Sequence, residues 1–164
     1  PQAASPVSEG NAAFAAGRYD EARDLYVRAV FSDERDGYVK VLYAWSNFAL
    51  GDYDVAAAAI RRALLTTPDL VTYPMDLRTL YSDPAVLDRQ TDALLRFLAD
   101  RPDHREAQLV WGYLLYSIGQ ADRAASVFNG LAGADANDTI VLRLRDAAVR
   151  AAQSPPPAPQ TPNP

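Results

Sequence analysis

Apolar residues recur along this chain at helical spacing, in segments interrupted by Gly, Pro and Asp. Val86, Leu87, Leu94, Leu95 and Leu98 follow Asp83-Pro84, where Asp caps a helix and Pro suits its first position. Ile140, Leu142, Leu144 and Ala147 follow Asn137-Asp138 and predict a last helix ending near Ala152. Ser5-Pro6 opens the first helix, and Asp103 with Glu106 makes a capping-box-like start to another. No strand is expected.

Between these helices a phrase returns at a fixed interval. Gly17-Arg18-Tyr19-Asp20-Glu21-Ala22 is followed 34 residues later by Gly51-Asp52-Tyr53-Asp54-Val55-Ala56. Twice that interval leads to Gly119-Gln120-Ala121-Asp122-Arg123-Ala124. The chain thus resembles the tetratricopeptide repeat (TPR) family, whose unit has this period and this turn glycine. With the glycine at position 15, the repeats cover 3–36, 37–70, 71–104 and 105–138, and residues 139–152 form a capping helix.

In the TPR pattern, positions 8 and 20 take small residues where two helices of a hairpin approach closely. Position 8 here is Gly10, Ala44 and Gly112, and position 20 is Ala22, Ala56 and Ala124. Position 27 is Ala29 and Ala63, then Leu131, as in a last repeat with less packed behind it. The unit 71–104 keeps the register but loses the glycine and the alanines, so it reads as degenerate. Pro74 drives Tyr73 out of helical geometry and leaves only a short helix over Met75 to Tyr81. The phrase from Asp76-Leu77-Arg78 to Tyr81 is similar to degenerate units in some exported bacterial TPR proteins. The resemblance implies an all-α fold, a right-handed superhelical array of about nine helices.

It also implies a binding surface. In TPR proteins the first helix of each hairpin lines a concave groove, chiefly through positions 2, 5, 9, 12 and 13. Those positions give Asn11 and Phe14, then Tyr38, Val41, Trp45 and Phe48, then Leu109, Tyr113, Tyr116 and Ser117. Aromatic rings with a polar edge suit a peptide or protein partner. A carboxylate clamp is not expected. Asn11 matches one of its positions, but Val7 stands where the Lys belongs, and Lys40, Arg78 and Arg105 fall elsewhere. The other reading is structural: a spacer or homotypic assembly element, weakly self-associating, in which the rings are core. Exposure of Trp45, Tyr113 and Tyr116 favours the first reading, and burial the second.

Composition narrows the rest. The 164 residues fit one domain, and no apolar run is long enough to span a membrane. Acidic residues number 21 against 16 basic ones, with no basic stripe, so nucleic acid is not an expected partner. Cysteine is absent, which removes disulfides, thiolate metal sites and Cys nucleophiles. His104, the one histidine, reads as a solvated residue near a helix start, and no metal, cofactor or catalytic motif accompanies it. An enzyme is not expected. The chain begins at Pro1 without Met, as expected of a fragment or mature form, with residues 1–5 as linker and 153–164 as a proline-rich linker or tail. In polyproline form, Pro155 to Pro159 would suit the aromatic groove as a weak occupant. The missing cysteines and the proline-rich flanks lean toward a bacterial cell envelope.

Overall fold

A computed structural model describes residues 5–154. The linker residues 1–4 and the tail from Pro155, with its proposed docking, lie outside the described residues. Eight α-helices form: α1 Pro6–Ala15, α2 Tyr19–Ser32, α3 Gly37–Ala49, α4 Tyr53–Thr66, α5 Pro84–Asp100, α6 Arg105–Ser117, α7 Ala121–Ala134 and α8 Thr139–Gln153. Two 3-10 turns, Pro68–Val71 and Leu77–Leu80, separate α4 from α5, and there is no strand among the described residues.

The helix starts follow the sequence signals. Side chains of Ser5, Asp36, Asp52, Asp83 and Asp138 each accept a hydrogen bond from a first-turn amide. The start of α6 differs from expectation: its cap is His104, whose Nδ1 accepts from the Ala107 amide at 3.2 Å, and not Asp103. The ends of α1, α3 and α6 share one device. Gly17, Gly51 and Gly119 adopt φ of +78°, +79° and +83°, a left-handed conformation open to glycine at little cost. That conformation lets the next amide reach back, so Arg18, Asp52 and Gln120 donate to the carbonyls of Ala13, Asn47 and Leu115 at 2.9 Å. Each helix is thereby stopped and reversed within three residues.

Three hairpins result, α1/α2, α3/α4 and α6/α7, with α8 packed on α7. Their close approach depends on the small residues. A Cβ on Gly10 would stand 2.6 Å from the Tyr26 ring, and one on Gly112 equally near Phe128. In the middle hairpin the large partner is Ile60 rather than a ring, and Ala44 is tolerated; both are fully buried. Leu131 departs from expectation, since α8 covers it and leaves it 2% exposed.

The segment 67–104 departs most. The short helix expected over Met75 to Tyr81 is only the 3-10 turn Leu77–Leu80, and α6 packs directly on α4. Among the described residues no third hairpin intervenes, and the helices number eight rather than about nine. Pro74 interrupts the backbone, and no small residues are available at which a second helix could close. The segment instead works as a crossover. Its first turn lies against α4 and α8, and Tyr116 donates its hydroxyl to the Val71 carbonyl at 2.7 Å. It then reaches α1, where Tyr81 meets Phe14 edge-on at 5.1 Å and the Ser82 hydroxyl donates to the Ala15 carbonyl. From there α5 runs along the edge bearing the Gly17 and Gly51 turns, until Phe97 meets Tyr53 at 5.0 Å.

This path sets the direction of α6. Its first residues lie by the start of α4, with His104 Nε2 3.5 Å from Asp54, while its far end meets Val71 beyond the end of α4. Helices joined by short turns are antiparallel; α6 runs the same way as α4 because a long connection carries the chain back.

Candidate functional site

The sequence points to the face formed by α1, α3 and α6. The structure brings the expected residues together there, but not on an open surface. Trp45 of α3 and Tyr113 of α6 stack at 5.7 Å with ring planes 16° apart, and Phe48 meets Trp45 edge-on at 5.8 Å. Phe14, Val41, Trp45, Phe48, Leu109, Tyr113 and Tyr116 are all buried. Two elements account for this. Helix α6, running parallel to α4, lays Tyr113 against α3. The crossover, anchored at Tyr116 on one side and Phe14 on the other, closes the remainder with Leu70, Val71, Leu77 and Leu80, which are themselves buried. Exposing those four side chains would cost several kcal/mol, at roughly 1.5–3 kcal/mol for each large aliphatic one. The crossover is therefore part of the core.

Asn11 and Tyr38 are the two predicted residues left exposed. The Asn11 carboxamide oxygen accepts from the Tyr26 hydroxyl at 2.8 Å, so it holds a hairpin together. Tyr38, in the first turn of α3, is 48% exposed. Sequence reasoning missed Tyr73, which follows the first 3-10 turn and is 72% exposed. Both rings stand at the edge where α4 ends, since Gly37 packs on Thr67 and Tyr73 donates its amide to Asp69. The only sequence signal for Tyr73 was its place before Pro74, which keeps the chain extended and its side chain outside the helix stack.

Electrostatics in the cluster are those of a dry interior. Burial pushes the Tyr113 phenol up, with Tyr116 and Tyr38 adding to the shift. Burial likewise raises Tyr26, Tyr81 and Tyr116. The Trp45 indole N–H and the Tyr113 hydroxyl are buried without a hydrogen-bond partner among the described residues. Among those residues no group of three His, Cys, Asp or Glu is placed to hold a metal, and no helix is long and apolar enough to cross a membrane.

A polar node stands apart from the aromatic face. The Arg61 guanidinium of α4 donates to both carboxylate oxygens of Asp138, at 2.9 and 2.8 Å, and lies 3.4 Å from Glu106 of α6. Asp138 also caps α8 by accepting from the Val141 amide at 3.1 Å. Partial burial opposes its charge, but the Arg61 and Val141 hydrogen bonds and the charges of Arg61 and Arg105 outweigh that and hold the carboxyl below the usual range.

Hairpins closed by left-handed glycines and packed through small residues define a helical-repeat protein. The family described as tetratricopeptide repeat matches residues 7–70 and 92–139, and the chain belongs to that family. The two matched stretches leave out 71–91, which holds the second 3-10 turn and the start of α5. This is in general a non-enzymatic, protein-interaction fold. Among solved structures, the chain is similar to the first TPR of Spaghetti (RPAP3) bound to an HSP90 peptide, with 15% identity, TM-score 0.42, and 91% of this chain and 94% of that one covered. It is also similar to the second TPR domain of the human RPAP3 protein in complex with an HSP70 peptide, with 14% identity, TM-score 0.42, and 88% and 92% covered. No curated protein sequence matches the chain.

Proposed function

We propose that the chain is a protein–protein interaction module that receives an apolar, extended polypeptide segment at the edge where Tyr38 and Tyr73 stand open. The observation behind this reading is the exposure of those two rings, 48% and 72%, beside a rigid buried aromatic stack. Large rings on a stiff base gain contact area on binding while losing little side-chain freedom. A carboxylate-ended partner is disfavoured, because Asn11 is engaged by Tyr26, Arg78 by Asp76, and Arg105 by the Leu131 carbonyl. The structural reading also has its observation, the complete burial of Trp45 and Tyr113, which makes those rings core.

Selection of a displayed random-peptide library against the chain tests the proposal. Enriched segments should be apolar, and Tyr38→Ala or Tyr73→Ala should weaken them about tenfold, the worth of about 1.4 kcal/mol, with melting unchanged. Absence of enrichment, or binding that survives both substitutions, overturns the edge as the site.

A further inference from the structure

At the end of the hairpins away from Tyr38 and Tyr73, the crossover and the Gly17 turn enclose a cavity of about 160 Å³. Three aromatic rings border it. Phe14 is buried and meets Tyr19 at 5.0 Å and Tyr81 at 5.1 Å, with ring planes 71° and 87° apart. The two half-buried tyrosines thus stand steeply against a shared base, and Val86 adds an aliphatic wall. The box is held in place. Phe14 belongs to the core, and the Tyr81 hydroxyl donates to the Gln90 carboxamide oxygen of α5.

The charges around the box have one sign. Helix α1 ends at it, with Ala15, Ala16 and Gly17 in the lining, so the negative end of a helix dipole faces the cavity. Asp83 lines it too; one carboxylate oxygen accepts from the Ala85 amide at 2.9 Å. That carboxylate enters no ion pair among the described residues. Arg18, the cation beside the turn, is bound to Glu21 at 2.6 Å. The Ser82 hydroxyl gives its proton to the Ala15 carbonyl.

We propose that this cavity is a binding site for a methylated ammonium group, in its fullest form trimethylammonium. Aromatic rings attract a cation through their quadrupole, and a carboxylate at the rim adds to that attraction. An anion would meet Asp83 and the end of α1, and a neutral alkyl guest would gain nothing from either. A bare ammonium keeps its hydration unless acceptors replace it, whereas methyl groups shed that need and pack on rings. The size agrees, since a cavity of about 150 Å³ holds a benzene-sized guest. The group arrives either on a free solute of the choline type or on a trimethyllysine side chain, with the same chemistry at the cavity.

Titration of the ¹⁵N-labelled chain with tetramethylammonium or choline should shift the amides of Gly17, Tyr81, Ser82 and Asp83, with a Kd on the order of millimolar. The neutral isostere 3,3-dimethylbutanol should bind at least about tenfold more weakly than choline. Tyr19→Leu should weaken choline about fivefold, and Asp83→Asn about threefold. Asparagine caps a helix as well as aspartate, so melting of Asp83→Asn should not change. Absence of shifts at those amides overturns the proposal, as does equal binding of choline and its isostere. So does choline binding indifferent to both substitutions. A short alanine peptide bearing one trimethyllysine separates the sources: binding tighter than choline assigns the site to a modified protein, and weaker binding to a free solute, both supporting the cation site. The peptide edge at Tyr38 and Tyr73 lies elsewhere, and its library readout is independent of each of these results.

Discussion

Two tyrosines one helical turn apart on α6 experience opposite balances. The Tyr116 hydroxyl donates to the Val71 carbonyl, whereas the Tyr113 hydroxyl is buried without a partner among the described residues. A buried polar group left unpaired costs roughly 1–3 kcal/mol, and a satisfied hydrogen bond contributes about 1 kcal/mol. Tyr113→Phe should therefore raise stability to urea by about 1 kcal/mol, while Tyr116→Phe should lower it by a similar amount. Loss of stability in Tyr113→Phe would mean that its hydroxyl is bonded after all. Gly112→Ala should behave differently again. Its new Cβ would meet the Phe128 ring at 2.6 Å, so overpacking of about 1–3 kcal/mol is expected in the same titration.

Helices α4, α6 and α8 are tied together at Arg61, and the tie responds to acid. Asp138 titrates below the ordinary carboxylate range when folded and near about 3.9 when unfolded. The folded chain thus holds its charge where the unfolded chain takes up a proton. The resulting stabilisation is complete above the unfolded value and disappears as pH falls through the folded one. Asp138→Asn should flatten the acid limb of a melting-temperature profile below about pH 4, and should lower the plateau at neutral pH. An unchanged limb would remove the node from the acid response. Much at this level was readable from the chain. The three glycine turns announce themselves because only that backbone geometry closes the helix, and Ser5, Asp83 and Asp138 cap where capping side chains belong. Asp103 misled because His104, one residue on, has an equally able acceptor in Nδ1.

The molecule as a whole turns on the 67–104 crossover, and here the sequence says less. Asp83-Pro84 and the leucines of α5 have the same pattern whether a helix stacks in an array or lies along its edge. Periodicity identifies which face is apolar, not what covers it, so Trp45, Phe48 and Tyr113 read as groove and prove to be core. Burial and backbone protection also separate in this segment. Leu77 and Leu80 are buried, yet the amides of Met75, Asp76 and Ser82 have no hydrogen bond among the described residues. Hydrogen exchange should be fastest at those three amides and slow in α3 and α4. Leu77→Ala should nonetheless cost about 2–5 kcal/mol in a urea titration, as a core position does. A cost below about 1 kcal/mol would show that the crossover is only a tether.

The parallel placement of α6 on α4 has a consequence for the order of assembly. A ribosome releases α1 to α4 as two local hairpins able to close within themselves. The partner for Trp45 is Tyr113, 68 residues later in the chain. Until the crossover and α6 have emerged, the indole, Phe48 and Val41 have no cover, and an apolar face waits in water. Long-range closure of this kind is slow and exposes the nascent chain to aggregation or to holding chaperones. A regular stack of antiparallel hairpins escapes that interval, because each new helix covers the one just made.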